Sequence, residues 1–274
     1  MKVYLCALAK NEHLYINEWV SHYLKLGFDK IFIFDNDNKD SPNIKDFIDN
    51  DKLAKCRVIN ARGIHESNMQ TLFYNNFYRL EKNNFNWCLF CDIDEFLVGV
   101  GNIKLFLQQP KFAFANQIRV KWQMYDDNGL IERDMSKGVM ETFTHKANFT
   151  LTRDLTKECG MGNQGKAFVR GGLNNVYFNS VHFATNRMND VILNSVLPNG
   201  QRCLSGVEIK EKYTTINVFL NHYMTKSLSE FITQKINRGD AVFGNRKIDF
   251  NYYWRINEKT QDKLDYIKNL GLEL

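Results

Sequence analysis

Two apolar patterns alternate through the first hundred residues, and this constrains the fold more than any other feature of the chain. Residues 2–9 ("KVYLCALA"), 30–34 ("KIFIF"), 54–60 ("AKCRVIN") and 85–90 ("FNWCLF") are short apolar runs that read as buried strands. Between them lie helical stripes. Ile16, Trp19, Val20, Tyr23 and Leu24 recur at three-and-four spacing and are closed by Gly27. Ser41-Pro42 reads as the start of a short helix through Ile48. Ser67 with Gln70 is a capping-box pattern opening a helix whose stripe is Leu72, Phe73, Phe77 and Leu80. Strand and helix in alternation predict an α/β domain with a mostly parallel sheet.

The second half is less regular. Residues 114–125, 176–183 and 214–223 carry β-like patterns, and 160–172 ("GMGNQGKAFVRGG") is glycine-rich. Ser227 and Glu230 form a second capping box ahead of Leu228, Phe231, Ile232 and Ile236, in a helix expected to end at Gly239. A last amphipathic helix is expected at about 258–270. With 274 residues, 44% of them hydrophobic, the chain can bury one large core. The expected organisation is a main domain over 1–225, with halves at 1–100 and 101–225, and a helical extension over 226–274 packed on it.

No run approaches the ~18 apolar residues of a membrane span. The apolar opening at 3–9 gives way at once to Lys10-Asn11-Glu12 and is too short for a signal peptide. A cytoplasmic protein is expected, with at most peripheral contact at the inner membrane face through "FGNRKIDFNYYWR" (243–255), a stretch that packing on the main domain explains better. The cysteines (Cys6, Cys56, Cys88, Cys91, Cys159, Cys203) have no framework spacing and read as reduced thiols. Net charge is +5, from 36 basic and 31 acidic residues, too mild and mixed to require a nucleic-acid partner but suited to a small anion.

Each early strand ends in a polar loop: Lys10-Asn11-Glu12, Asp35-Asn36-Asp37-Asn38, and Asp92 to Glu95. Open α/β sheets bind ligands beyond the carboxyl ends of their strands, so these loops are expected to converge on a site. In "CDIDEF" (91–96), strand alternation would send Asp92 and Asp94 to one side and Ile93 to the other. Two adjacent carboxylates repel, and a divalent cation resolves this; oxygen ligands beside a phosphate select Mg²⁺ or Mn²⁺. The plainer reading, acids capping a helix in solvent, is weakened by the fully apolar strand before them. Glu95 is read either as orienting a ligand or as capping the next helix. For Asp35 and Asn36 a turn and a ribose or base contact are equally open. Asn11 reads equally as a helix cap.

His222 ends an apolar strand and is followed by Lys226, Lys235 and Arg238, an imidazole for a metal and cations for phosphate oxygens. Lys166 and Arg170 lie in the glycine-rich stretch, as a surface loop or a phosphate clamp. No phosphate-loop, dinucleotide or nucleophile-elbow glycine motif occurs.

Three blocks, "LAKNEHLYINEWVSHYLKLGFDKIFIFDNDNKDS", "WCLFCDIDEFL" and "LNHYMTKSLSEFITQKINRGDA", resemble the bacterial family-2-like glycosyltransferases related to glycosyltransferase family 92. The resemblance covers about the first 100 residues closely and returns near 166–183 and 215–241. It implies a GT-A type, Rossmann-like nucleotide-sugar-binding domain with an Asp-x-Asp metal motif. By that likeness Lys10, Asn11 and Glu12 border the nucleotide, Asp35 and Asn36 contact base or ribose, and Asp92 and Asp94 hold Mn²⁺ or Mg²⁺ on the diphosphate. A late histidine completes the metal shell, His222 being preferred to His182. Gln70, Lys166, Lys226, Lys235 and Arg238 are expected donor contacts. The chain departs from the pattern at 124–129, where Met-Tyr-Asp-Asp-Asn-Gly replaces a small glycine- and serine-rich turn, a difference that bears on the acceptor.

The expected activity is transfer of a sugar from a nucleotide diphosphate sugar, a UDP-sugar, to a saccharide or lipid-linked saccharide hydroxyl in surface polysaccharide or lipopolysaccharide synthesis, with inversion. Candidate bases are Asp127, preferred because an acidic turn after a core strand would reach the cleft, with Asp126, Glu158 and Glu141. Two alternatives use the same acids: a metal-dependent sugar-nucleotide hydrolase or nucleotidyltransferase, and a non-catalytic nucleotide-sugar-binding module.

Overall fold

The protein is described here by a computed structural model that covers residues 1–64, 66, 68–147, 163–211, 217–236 and 248–273. Its strands are β1 (Val3–Ala9), β2 (Lys30–Asp35), β3 (Cys56–Asn60), β4 (Trp87–Phe90), β5 (Glu95–Val98), β6 (Gln117–Met124), β7 (Gly165–Arg170), β8 (Val176–Tyr177), β9 (Thr185–Asn186), β10 (Ser195–Val196) and β11 (Phe219–His222). Among the described residues nine of them form one sheet in the order β3-β2-β1-β4-β7-β6-β11-β5, with β10 paired to the start of β6. Strands β1 to β4 pair in parallel, as do β6 with β10 and β11. β7 opposes β4 and β6, and β5 opposes β11. All strands of this sheet but β7 and β5 therefore run one way, giving a mixed α/β fold with a mostly parallel sheet.

The sheet is curled, and a short connection shows why. β4 and β5 lie four strand spacings apart in the order, ~19 Å if the sheet were flat. Residues 91–94 join them by a tight turn in which the Glu95 N–H donates to Asp92 O at 3.2 Å. Such a turn cannot cross that span, so strand twist must bring β5 round towards the end of β4.

Alternation along the early strands splits the core in two. Leu5, Ala7, Ile31, Ile33 and Leu89 face one cluster, beneath the Ile16–Lys25 helix; Tyr4, Cys6, Phe32, Phe34, Cys88 and Phe90 face the other, beneath the Met69–Glu81 helix. Burial on both faces explains the unbroken apolar runs. A satellite cluster of Leu228, Phe231, Ile232, Phe250, Tyr253 and Ile267 joins the late helices Leu228–Phe231, Phe250–Trp254 and Gln261–Asn269.

Several local expectations need correction. The Met69–Glu81 helix buries Met69, Gln70, Tyr74, Phe77 and Tyr78, while Leu72 and Leu80 are 49% and 66% exposed. The aromatic residues win this face because Tyr74 and Phe77 meet Phe90 edge-on, with ring centroids 4.9 and 5.8 Å away. Ser67 of the expected capping box lies outside the described residues, and the helix begins after Asn68. The turn near 44 is a 3-10 helix, Ile44–Phe47, capped by the Asn43 side chain rather than by Ser41.

The glycine-rich stretch is not a surface loop over 165–170. It is β7, inside the sheet, and a Cβ at Gly165 would stand 1.9 Å from the Val120 carbonyl oxygen. Glycine is there because the backbones of β6 and β7 approach too closely for a side chain. Of the 176–183 stretch only Val176–Tyr177 is a strand. The described part of 243–255 forms the Phe250–Trp254 helix, with Tyr253 fully buried. The five described cysteines are free thiols, and Cys159 lies outside the described residues. No helix among the described residues is long and apolar enough to cross a membrane.

Candidate functional site

Because β1, β2, β4, β6 and β11 run the same way, their carboxyl ends share one edge of the sheet, and antiparallel β7 and β5 begin there. A cavity of about 230 Å³ opens at this edge. Its lining includes Lys10, Glu12 and Asn36 from the loops after β1 and β2, Asp92 and Asp94 after β4, Lys166 from the start of β7, and His222 from the end of β11. Gln70, His182, Trp122, Tyr252 and Lys235 complete its polar and aromatic walls.

Asp92 and Asp94 reach the cavity for a different reason from the one expected. They do not alternate along a strand, since β4 stops at Phe90 and β5 starts at Glu95. They project from the tight turn between them. That turn is held from behind: Trp19 Nε1 donates to Asp92 O and Glu95 O at 3.1 and 3.0 Å, and Tyr23 OH donates to Glu95 O at 3.0 Å. From the front, the Tyr223 N–H donates to Asp94 O at 2.9 Å.

Each aspartate has a buried lysine of its own. Lys166 Nζ is 2.8 Å from Asp92 Oδ2, and Lys235 Nζ is 2.8 Å from Asp94 Oδ2. Gln70 Nε2 donates to Asp92 Oδ1. His222 Nε2 approaches Asp94 Oδ1 at 3.4 Å without hydrogen-bond alignment, so this buried oxygen has no hydrogen bond. Burial works to raise both carboxyls. The Lys166 ammonium outweighs it at Asp92, and Lys235 with His222 outweighs it further at Asp94, which lies well below the usual carboxylate range. Burial alone would lower Lys166, but the carboxylates of Asp92 and Glu95 push it above its ordinary value.

Glu95 behaves in the opposite way. Its side chain is fully buried at the start of β5, with Oε2 accepting from the Asp92 N–H at 3.0 Å and Oε1 only 3.9 Å from Lys166. Burial, reinforced by the charges of Asp92 and Asp94, raises this carboxyl well above its ordinary value despite Lys166. It caps no helix; it braces the turn.

The two histidines flank Trp122, with ring centroids 5.3 Å (His182) and 4.5 Å (His222) away. His182 Nδ1 is 2.9 Å from the Gly165 carbonyl, to which it donates, and burial together with Lys166 lowers its pKa to about 3. A neutral imidazole of this kind presents Nε2 as a lone pair.

Other expected residues fall elsewhere. Asn11 does not line the cavity or cap the Ile16–Lys25 helix; at φ 56° its N–H donates to Asp37 Oδ1 at 2.5 Å. Asp35 closes its own loop, accepting from the N–H groups of Asp37 and Ile44 at 3.3 Å each, with Arg62 3.8 Å away. Asn36 does line the cavity, its Nδ2 fixed by the carbonyls of Ala61 and Ile64 at 2.9 and 2.7 Å. Lys226 is buried beside the lining with Nζ 4.0 Å above the Tyr15 ring, and burial lowers its pKa. Arg238 and Glu158 lie outside the described residues.

The expected bases among the described residues, Asp126, Asp127 and Glu141, do not line the cavity. Asp127 is buried among the late helices, where Tyr253 OH donates to Oδ2, Lys263 pairs with the same oxygen and the Gly129 N–H donates to Oδ1 at 2.8 Å. Asp126 accepts from the Asn128 N–H at 2.8 Å and is 4.0 Å from His145. Glu141 is exposed on the Val139–Thr142 helix. Trp122 and Tyr252 were missed as lining residues; an aromatic residue near the carboxyl end of a sheet strand was the available signal for Trp122.

Among the described residues no group of three or more His, Cys, Asp or Glu is arranged as a metal cage. The chemistry nonetheless fits a divalent cation at Asp94 and His222: an imidazole beside a buried carboxylate oxygen that has no hydrogen bond. Comparison of the chain with models of protein families finds no match, and comparison with curated proteins finds none.

Proposed function

We propose that the chain is a GT-A type glycosyltransferase that moves a sugar from a nucleotide diphosphate sugar, a UDP-sugar, to a saccharide hydroxyl, with inversion, in surface polysaccharide synthesis. One observation carries the reading: an Asp-x-Asp turn at the carboxyl edge of a mostly parallel sheet, walled by Lys10, Lys166 and Lys235 and by His182 and His222. A cavity with this balance of charge suits a diphosphate and its cation. At about 230 Å³ it is below the ~300 Å³ usual for a whole small-molecule ligand, so the sugar and base extend beyond it.

Asp94 and His222, with Asp92, are the residues that would hold Mn²⁺ or Mg²⁺, which when bound supplies positive charge to the leaving diphosphate. The chain's own part is to fix that diphosphate. Lys235 and Lys10 offer ammonium groups to its oxygens, while Lys166 holds Asp92 in place and Asn36 is set for the nucleoside side. In the transfer the acceptor oxygen bonds to the anomeric carbon as the bond to the diphosphate oxygen breaks. Negative charge develops where the lysines already stand, so little reorganisation is needed. The acceptor proton passes to a base.

The test is a panel of nucleotide sugars assayed for protection against thermal unfolding, with and without Mn²⁺, followed by turnover with and without saccharide acceptors. UDP-sugar protection with acceptor-dependent release of UDP supports transfer. UMP formation or pyrophosphate chemistry without acceptor supports the hydrolase or nucleotidyltransferase alternative, and protection without any turnover supports a binding module.

A further inference from the structure

After the Leu228–Phe231 helix the chain winds Ile232–Ile236 as a π-helix. Such turns are rare and concentrate at functional sites, because the wider winding re-aims side chains. Lys235 lies in this turn, is buried, lines the cavity and places Nζ 2.8 Å from Asp94 Oδ2. The other carboxylate oxygen, Oδ1, is buried without a hydrogen bond, although His222 Nε2 stands 3.4 Å away. Asp94 thus has one oxygen held by an ammonium and one held by nothing comparable.

A buried carboxylate left without a positive partner is strongly destabilising, so a chain that waits for a cation needs a temporary one. An ammonium on a flexible stem suits that task, since it can swing away without moving backbone. We propose that Lys235 is the resident counter-ion of Asp94, that a divalent cation displaces it, and that the released ammonium takes an oxygen of the incoming diphosphate. This rests on the donor-binding reading above and deepens it: one lysine serves two partners in turn. It also orders the binding energetics. A cation entering alone meets the like charges of Lys235, Lys226 and Lys166, whereas a cation accompanied by a diphosphate does not, so the two bind cooperatively.

The experiment titrates Mn²⁺ alone, by calorimetry or by the electron-spin signal of free Mn²⁺, into the wild type and Lys235→Met, and then titrates UDP at saturating Mn²⁺. The proposal expects opposite changes in the variant: Mn²⁺ about tenfold tighter, because its competitor is gone, and UDP about tenfold weaker, because the released ammonium is gone. A purely structural Lys235 weakens both, and that result, or two unchanged affinities, overturns the proposal. UDP binding with no Mn²⁺ binding in either protein overturns the exchange and leaves donor binding standing. A wild type that binds neither removes the donor-binding reading itself. Should Lys235→Met not fold, amine labelling of the wild type read by mass spectrometry replaces it. Labelling at Lys235 is expected to rise with Mn²⁺ and fall again when UDP is added; labelling that Mn²⁺ does not move overturns the proposal.

Discussion

Lys166 Nζ stands 2.8 Å from Asp92 Oδ2, the lysine at the start of β7 and the aspartate in the turn that follows β4, the antiparallel neighbour of β7. The lysine side chain is 1% exposed, and Asp92 is its closest acidic partner among the described residues, with Glu95 Oε1 at 3.9 Å. Lys166→Met removes a buried partner and leaves the Asp92 carboxylate against Asp94. The expected cost is about 3 kcal/mol of unfolding free energy, read from the shift of a urea transition at constant slope. A loss within the ordinary surface range of ~0.5 kcal/mol would show that water neutralises Asp92 instead.

Stability is expected to depend on pH through the same turn. Asp92 and Asp94 have depressed carboxyls, so their contribution is present above the unfolded value near ~3.9 and is lost as pH falls through their folded values. Glu95 is raised, so its contribution is complete below ~4.3 and is lost as pH rises through its folded value. Glu95→Gln keeps the acceptor for the Asp92 N–H and removes only the second effect. The variant is expected to gain about 1 kcal/mol or more over the wild type between pH 5 and pH 8 in urea unfolding. Parallel pH profiles for the two proteins would contradict the account of Glu95.

Asp127→Asn separates a structural acid from a catalytic one. Lys263 and Tyr253 would lose the charge they converge on, and the late helices would lose a tie to the turn after β6. The expected result is a loss of about 2 to 3 kcal/mol in stability with UDP affinity unchanged and turnover retained at temperatures where the variant is folded. Turnover abolished in a fully folded variant would return Asp127 to the reaction.

Much of this was legible in the residues, and the exceptions have physical causes. The early strands were readable because burial on both faces leaves unbroken apolar runs, and Gly27 marked a helix end through its positive φ of 96°. The convergence of Lys10, Asn36, Asp92 and Asp94 followed from strand direction alone. The strand through Lys166 was not readable, because Gly165 reports a close backbone approach and looks like loop composition. Leu72 and Leu80 misled because the helix face is chosen by aromatic partners across space, which periodicity cannot weigh. The lysines beside Asp92 and Asp94 were expected to meet phosphate, yet long-range pairing gives each a carboxylate. Asp127 was misplaced because its partners, Tyr253 and Lys263, come from helices far along the chain.

The central claim is that Asp94 couples a divalent cation to a nucleotide diphosphate. Calorimetric titration of UDP into the wild type and Asp94→Ala, each with and without Mn²⁺, tests it most directly. The account expects Mn²⁺ to strengthen UDP binding at least tenfold in the wild type, about 1.4 kcal/mol, and to have no effect in the folded variant. Equal Mn²⁺-dependent affinity for UDP in the two proteins would contradict it.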